Sequence, residues 1–326
     1  MSRIAVLGAG AWGTALAIQA ARAGREVVLW ARDPARAAAI AGARENARHL
    51  PGARLPAAVA VTADAAAALA GAALVLMVVP AQALAGVLAA LPPIPAPVLV
   101  CAKGVEAGTL RLPLEIVAAL RPGLVAGVLS GPNFAHEVAA GLPAAAVVAA
   151  AEPGLRERGL ALLGSPAFRL YAGEDPIGAQ IGGAAKNVIA IAAGAVIGAG
   201  LGENARAALI TRGLAELSRL AVALGGRAET AAGLSGLGDL VLTCAGPGSR
   251  NMSLGLALGR GERLEAVLAG RAGVTEGVAS APAIVARAAA AGVEMPICAA
   301  VADLLAGRIT VAEAMARLLA RPRRAE

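Results

Sequence analysis

The sequence predicts an α/β doubly wound parallel sheet followed by an all-helical domain. Three observations predict it. Short continuous apolar runs alternate with helical patterns in the first half of the chain. A glycine-rich turn joins the first such run to the first helix. Strand-like runs cease after Phe168-Arg-Leu-Tyr171, and only helical patterns follow. Strands buried on both faces read as unbroken apolar runs, and their alternation with helices marks a parallel sheet. A length of 326 residues exceeds what one core usually absorbs, so two domains are expected, 1–175 and 176–326, with Pro176 at the hinge.

Residues 3–7 (Arg-Ile-Ala-Val-Leu) read as the first strand. Trp12 to Ala23 is helical in pattern, with Gly24 as its stop. Residues 27–30 form the next strand, and Asp33-Pro34 opens a helix with Asp as N-cap and Pro in the first helical position. Further strands are expected at 74–79, 98–101, 125–129 and 144–149. In the second domain, helices are expected near 177–198, 203–224, 251–260, 275–291, 297–306 and 310–320, ahead of a solvated tail at 321–326.

Composition narrows the class. The chain is 58% hydrophobic but only 2% aromatic, which favours packed helices and buried parallel strands over a sandwich or barrel, and excludes disorder. A mean hydropathy of +0.71 raises the question of a membrane. However, the longest uncharged stretch, Ala65 to Ala102, is cut by Gly71, Pro80, Gly86, Pro92, Pro93, Pro95 and Pro97, whereas a spanning helix needs about 20 consecutive apolar residues. The N-terminus opens on a strand rather than a basic region and an apolar core, so no signal peptide is expected. Cys101, Cys244 and Cys298 have neither metal nor disulfide spacing and read as small core hydrophobes. The net charge of +7 suits either nucleic acid or phosphorylated small molecules. Without aromatic stacking platforms or a basic recognition helix, the second is favoured. The expectations are a cytoplasmic location, no integral membrane segment, no nucleic acid partner, a small phosphorylated substrate and a homodimer.

The turn Gly8-Ala9-Gly10-Ala11-Trp12-Gly13 follows a strand and opens a helix, the context a Rossmann-type dinucleotide site requires. Gly8 permits the tight turn, Gly10 lets backbone approach a pyrophosphate, and Gly13 lets helix and strand pack closely; the helix N-terminus then faces the phosphates. At the end of the second strand, where an NAD site usually carries Asp or Glu, stands Arg32. A guanidinium there can pair bidentately with a 2′-phosphate, while Asp33 is better explained as the helix cap. NADPH is therefore favoured, with NADH the alternative. His49 either approaches the adenosine end or is a solvated loop histidine.

Candidates for chemistry follow. Lys103 lies just after an apolar strand, where α/β sheets bind ligands; the bland alternative is a surface lysine. Lys186, in Gly182-Gly-Ala-Ala-Lys-Asn187, heads a long uncharged run. It either snorkels to the surface or faces a ligand, and two lysines converging on one site would yield a general acid–base near neutral pH. Asp239, in Gly236-Leu-Gly-Asp-Leu240, either orients such a lysine or a substrate hydroxyl, or caps a helix. Ser249-Arg250-Asn251 starts a helix and makes either a phosphate cradle or a plain capped turn. The only histidines are His49 and His136, so no Ser/His/Asp triad is suggested, and no metal spacing occurs.

These motifs resemble those of bacterial NAD(P)-dependent glycerol-3-phosphate dehydrogenases along essentially the whole chain. The matching stretches are Gly8–Ala17, Leu29–Pro34, Val78-Val-Pro80, Ala102-Lys-Gly104, Ser130–Ala135, Gly183–Ile189, Ala208–Leu214, Gly236–Cys244, Ser249–Asn251 and Glu276-Gly277. The glycine turn is shared by many dehydrogenases; the ordered lysine, aspartate and Ser-Arg-Asn motifs are far more specific. The resemblance implies reduction of dihydroxyacetone phosphate to sn-glycerol 3-phosphate for phospholipid synthesis, and a second domain like that of 6-phosphogluconate dehydrogenase. It implies Lys186 as proton donor, and Lys103, Gly131, Asn133, Asp239, Ser249, Arg250 and Asn251 as substrate contacts. It further implies cofactor contacts from Ala11, Trp12, Arg32, His49, Lys103, Ala135, Arg250, Val274 and Glu276. Two departures stand out: Val196-Ile197, where the family often has Ser/Cys-Asp, and Met252, where a basic residue is common.

Overall fold

The computed structural model describes residues 2–246, 248–271 and 274–322; the expected solvated tail lies outside these beyond Pro322. The chain divides into two compact units, Met1–Lys103 with Arg111–Gln180, and Gly104–Leu110 with Ile181–Glu326. The division thus falls inside a helix, Pro176–Gly198, rather than at Pro176, and a short segment after Lys103 groups with the second unit. The first turns of that helix pack with the sheet unit: Ala179 is fully buried in its core, and the side-chain Oε1 of Gln180 accepts a 2.9 Å bond from the Leu114 amide.

Among its described residues, the first unit is built on eight strands: β1 Arg3–Leu7, β2 Glu26–Trp30, β3 Val59–Thr62, β4 Ala72–Met77, β5 Val98–Val100, β6 Ala126–Ser130, β7 Ala144–Ala149 and β8 Phe168–Gly173. Their order is β3-β2-β1-β4-β5-β6-β7-β8. The β1/β4 adjacency reverses the winding and puts a switch point beside the glycine turn, where open α/β sheets bind ligands. All pairs are parallel except β6 and β7, which run antiparallel, a correction to the expected all-parallel sheet. The connection from β6 to β7 holds only the six-residue helix Ala135–Ala140 and returns the chain on the same edge.

Alternation along the strands sorts side chains into two cores. Ile4 and Val6 of β1 join one face with Leu16, Ala17 and Ala20 of the helix Ala11–Arg22. Ala5 and Leu7 join the other with Leu84, Val87 and Leu88 of the helix Ala81–Ala90. A one-residue slip would exchange the two sets, so burial on both faces fixes the register.

The second unit is helical among its described residues. The expected helices are found at Pro176–Gly198, Gly202–Ala223, Arg250–Gly259, Glu276–Ala290, Pro296–Leu305 and Val311–Leu319. A π-helical turn, Leu234–Gly238, leads into the short helix Asp239–Cys244. The helix Pro176–Gly198 is long and apolar enough to cross a membrane by length and composition alone, but 89% of its most apolar window is buried within the protein. It is the core helix of this unit.

Candidate active site

In the sheet unit, the glycine turn has the geometry its sequence requires. Gly8 adopts φ +120°, and a Cβ there would overlap the Val78 carbonyl oxygen. A Cβ at Gly13 would overlap the carbonyl oxygen of Gly8, so this glycine lets helix meet turn. Gly10 differs: its φ is −78°, and a Cβ built on it meets nothing within 4 Å. The fold therefore needs Gly8 and Gly13, whereas the space at Gly10 is a cradle that a side chain would fill. Gly10 is also the N-cap of the helix Ala11–Arg22 and offers no side chain to its first turn. Ala11 and Trp12 are half-buried there. Free amide donors and a positive helix end suit a pyrophosphate, so these residues fit a dinucleotide.

The turn is braced by groups that spacing alone does not reveal. Asn46 donates to the Ala9 carbonyl at 2.9 Å and to Thr14 Oγ1 at 2.7 Å, and Thr14 donates onward to the Gly10 carbonyl at 2.8 Å. Arg36 also donates to the Ala9 carbonyl. Arg32 is exposed just past β2, and Asp33 caps the next helix through the amides of Ala35 and Arg36. His49 is half-buried in the segment that follows Asn46.

At the end of β5, Lys103 Nζ donates to the Gly131 carbonyl at 3.2 Å. Gly131 has φ +153°, and a Cβ there would lie 2.8 Å from the Ala146 Cα. Asn133 donates to the Ala145 carbonyl at 3.1 Å, while its Oδ1 is buried without a hydrogen-bond partner. Such an atom is costly unless a donor reaches it. Ala135 begins the next helix, half-buried. Lys103, Gly131 and Asn133 are thus neighbours, as a shared site requires.

In the helical unit, Lys186 does not snorkel. It is 7% exposed, and its ammonium group donates to the carboxylate of the fully buried Asp239 and to Thr243 Oγ1 at 3.1 Å. Thr243 in turn donates to the Asp239 carbonyl at 2.6 Å. Asp239, in the first turn of its helix, is therefore placed to orient the lysine. Close backbone approach sets this geometry: a Cβ at Gly182, one turn before Lys186, would overlap the Ser235 carbonyl oxygen.

A second network lies beside it. Asn251 donates to Asn187 Oδ1 at 2.9 Å and accepts from the Gly277 amide at 3.0 Å, and Asn187 donates to Glu276 at 3.3 Å. Ser249 caps the helix Arg250–Gly259 by accepting from the Met252 amide. The hydroxyl of Ser249 and the carboxamide of Asn251 thus serve the fold, while Arg250 is exposed at the helix start and Val274 is 52% exposed. Arg271, which the sequence did not flag, donates to the Arg250 carbonyl at 2.6 Å.

The cysteines take no part. Cys101 and Cys244 are buried thiols pushed up to about 12 by desolvation, and Cys298 is raised as well. Thiolates are therefore scarce at neutral pH. Among the described residues, no group of three His, Cys, Asp or Glu side chains could hold a metal ion.

A Rossmann-like sheet with an open glycine turn, followed by a helical unit carrying a buried lysine–aspartate pair, defines a nicotinamide-dinucleotide-dependent dehydrogenase. Models of the NAD-dependent glycerol-3-phosphate dehydrogenase N-terminus and C-terminus match residues 3–155 and 175–316. The chain is 56% identical to glycerol-3-phosphate dehydrogenase [NAD(P)+] of Acidiphilium cryptum (strain JF-5), over 99% of this chain and 98% of that protein. It is 55% identical to the protein of the same name from Caulobacter vibrioides, with the same coverage. The crystal structure of glycerol-3-phosphate dehydrogenase from Coxiella burnetii aligns with a TM-score of 0.93 at 38% identity, covering 98% of this chain and 99% of that one. The chain belongs to the NAD-dependent glycerol-3-phosphate dehydrogenase family and is an oxidoreductase.

Proposed function

We propose that the protein reduces dihydroxyacetone phosphate to sn-glycerol 3-phosphate, reversibly, with NADPH as the preferred hydride donor. The observation that carries the reading is Lys186, a nearly buried ammonium group aligned by Asp239 and Thr243 on one helical unit. The bound cofactor supplies a hydride to the ketone carbon.

The chain's own residues do the rest. Lys186 gives its proton to the carbonyl oxygen as negative charge develops there, and takes it back in the reverse direction. Asp239 holds the ammonium group in one orientation, so little reorganisation is needed when the charge forms. Lys103, Gly131 and Asn133 hold the substrate's hydroxyl-bearing end, the orphaned Asn133 Oδ1 accepting a hydrogen bond from the hydroxyl. Arg250 binds the phosphate, whose remote binding free energy orients the reacting carbonyl. Gly8, Gly10, Ala11, Trp12 and Gly13 hold the pyrophosphate end of the cofactor, and Arg32 faces the 2′-phosphate. His49, Ala135, Val274 and Glu276 complete the cofactor contacts. The product feeds phospholipid synthesis in the cytoplasm, and the working form is a homodimer.

The test is NADPH oxidation by purified protein given dihydroxyacetone phosphate, followed by absorbance. Turnover is expected. No turnover with that ketone, together with turnover of ketopantoate, would replace the reading with a ketoacid reductase.

A further inference from the structure

Arg36 is the third residue of the helix Pro34–Ala43, which follows β2. Its guanidinium folds back over the glycine turn and donates to the Ala9 carbonyl. That carbonyl already accepts from Asn46, so the turn is braced without Arg36. The Arg36 Nε is buried and has no hydrogen-bond partner, so part of the guanidinium's donor capacity is unmet. Arg32 stands exposed four residues earlier, and Arg48 is close enough to oppose the charge. Burial and then Arg48 pull Arg36 below the ordinary arginine range, and Asp33 opposes them. The Asp33 carboxylate is itself engaged as a helix cap, accepting from Ala35 at 2.9 Å and Arg36 at 3.4 Å.

A like charge beside a partly desolvated guanidinium, here Arg48, costs free energy unless an anion joins the pair. The place also has an address on a dinucleotide. The first helix takes the pyrophosphate, and the end of the second strand takes the adenosine ribose. A ribose 2′-hydroxyl would call for a carboxylate there able to accept its proton. A 2′-phosphate, carrying roughly two negative charges, calls for a guanidinium fork.

We propose that Arg36 is the fixed half of a two-guanidinium clamp, with Arg32, on the 2′-phosphate of NADPH, and that Arg36 sets the preference for the phosphorylated dinucleotide. Arg32 is solvated and pays side-chain ordering on closing over the phosphate. Arg36 is already anchored on the Ala9 carbonyl, so its share of the clamp is preorganised. The proposal rests on the glycine turn being a dinucleotide site.

The experiment measures binding of NADPH, NADH, 2′,5′-ADP and 5′-AMP to the full chain and to its Arg36→Gln and Arg36→Lys variants, by calorimetry without ketone. Arg36→Gln is expected to weaken NADPH and 2′,5′-ADP by about 10- to 100-fold, leaving NADH and 5′-AMP unchanged. Arg36→Lys should lie between, keeping charge without the fork. Unchanged NADH binding on the same preparation shows that the variant is folded. Equal weakening of NADPH and NADH would overturn the proposal, because Arg36 would then serve the turn shared by both; so would unaltered NADPH binding. Since no ketone is present, a different substrate would leave this result standing, and wild-type protein that binds neither dinucleotide would instead refute the site itself.

Discussion

Lys186 and Asp239 form an ion pair between the helices Pro176–Gly198 and Asp239–Cys244, with the lysine 7% exposed and the aspartate fully buried. Removing two charges from water costs several kcal/mol per ion, so such a pair is weak evidence for stability. Lys186 is also the only charge on its 23-residue helix. Its place there is better explained by chemistry than by folding.

Lys186→Ala should lower kcat by about 100- to 10,000-fold, the usual range for a general acid, while NADPH still binds. Asp239→Asn should also lower kcat, and should destabilise the fold by about 3–5 kcal/mol by leaving a buried charge unpaired. The double variant Lys186→Met/Asp239→Leu should recover much of that stability and remain inactive. Urea denaturation and initial rates separate the two effects. Retained kcat in Lys186→Ala would exclude the lysine from proton transfer.

Two glycines of one turn should behave oppositely. Gly13→Ala forces a methyl group into the Gly8 carbonyl oxygen and should cost about 1–3 kcal/mol, the usual range for overpacking. Gly10→Ala meets nothing within 4 Å at an unstrained φ of −78°, and should cost less than about 1 kcal/mol. Its methyl group would instead stand where a pyrophosphate approaches. Melting curves and NADPH titrations of both variants check this, and a Gly10→Ala protein with wild-type NADPH affinity would contradict it.

The legible parts of this molecule were those with local rules. β1, the glycine turn, the Asp33 cap and the long helices follow from apolar period and terminal residues. β3 was missed because Val59-Ala-Val-Thr62 is four residues long in an alanine-rich context, where strand and loop read alike. The eighth strand is legible only as the short run Phe168–Tyr171, because it is a largely exposed edge with only Phe168 buried. The antiparallel turn between β6 and β7 was illegible because an apolar run does not encode the direction of its partner. Lys186 and Asp239 stand out in the sequence from their neighbours, whereas the hydrogen bonds of Thr243, Asn46 and Arg36 bridge 57, 37 and 27 residues. No spacing rule spans such separations. Ser249 and Asn251 show a structural duty that their motif does not announce: the hydroxyl caps a helix, and the carboxamide ties Asn187 to Gly277.

Glu216 supplies a pH dependence with a definite sign. It is 3% exposed on the helix Gly202–Ala223, and its carboxyl oxygens accept from the amides of Ile297 at 2.7 Å and Cys298 at 3.2 Å, in the first turn of the helix Pro296–Leu305. Burial raises its pKa, against the opposing pull of those two amides and Arg219. The native state therefore keeps the proton to a higher pH than the unfolded chain does. Between the ordinary carboxylate value and the raised one the native state binds more protons, so stability falls as pH rises through that window. Glu216→Gln keeps a carbonyl oxygen to accept from Ile297 and cannot ionise. Relative to wild type, the variant should therefore gain stability as pH rises through the window, and the difference should be flat below it. Urea denaturation of both proteins over a pH series measures this. A difference that stays constant with pH, or that moves in favour of wild type as pH rises, would show that Glu216 is ionised in the native state as readily as in the unfolded chain.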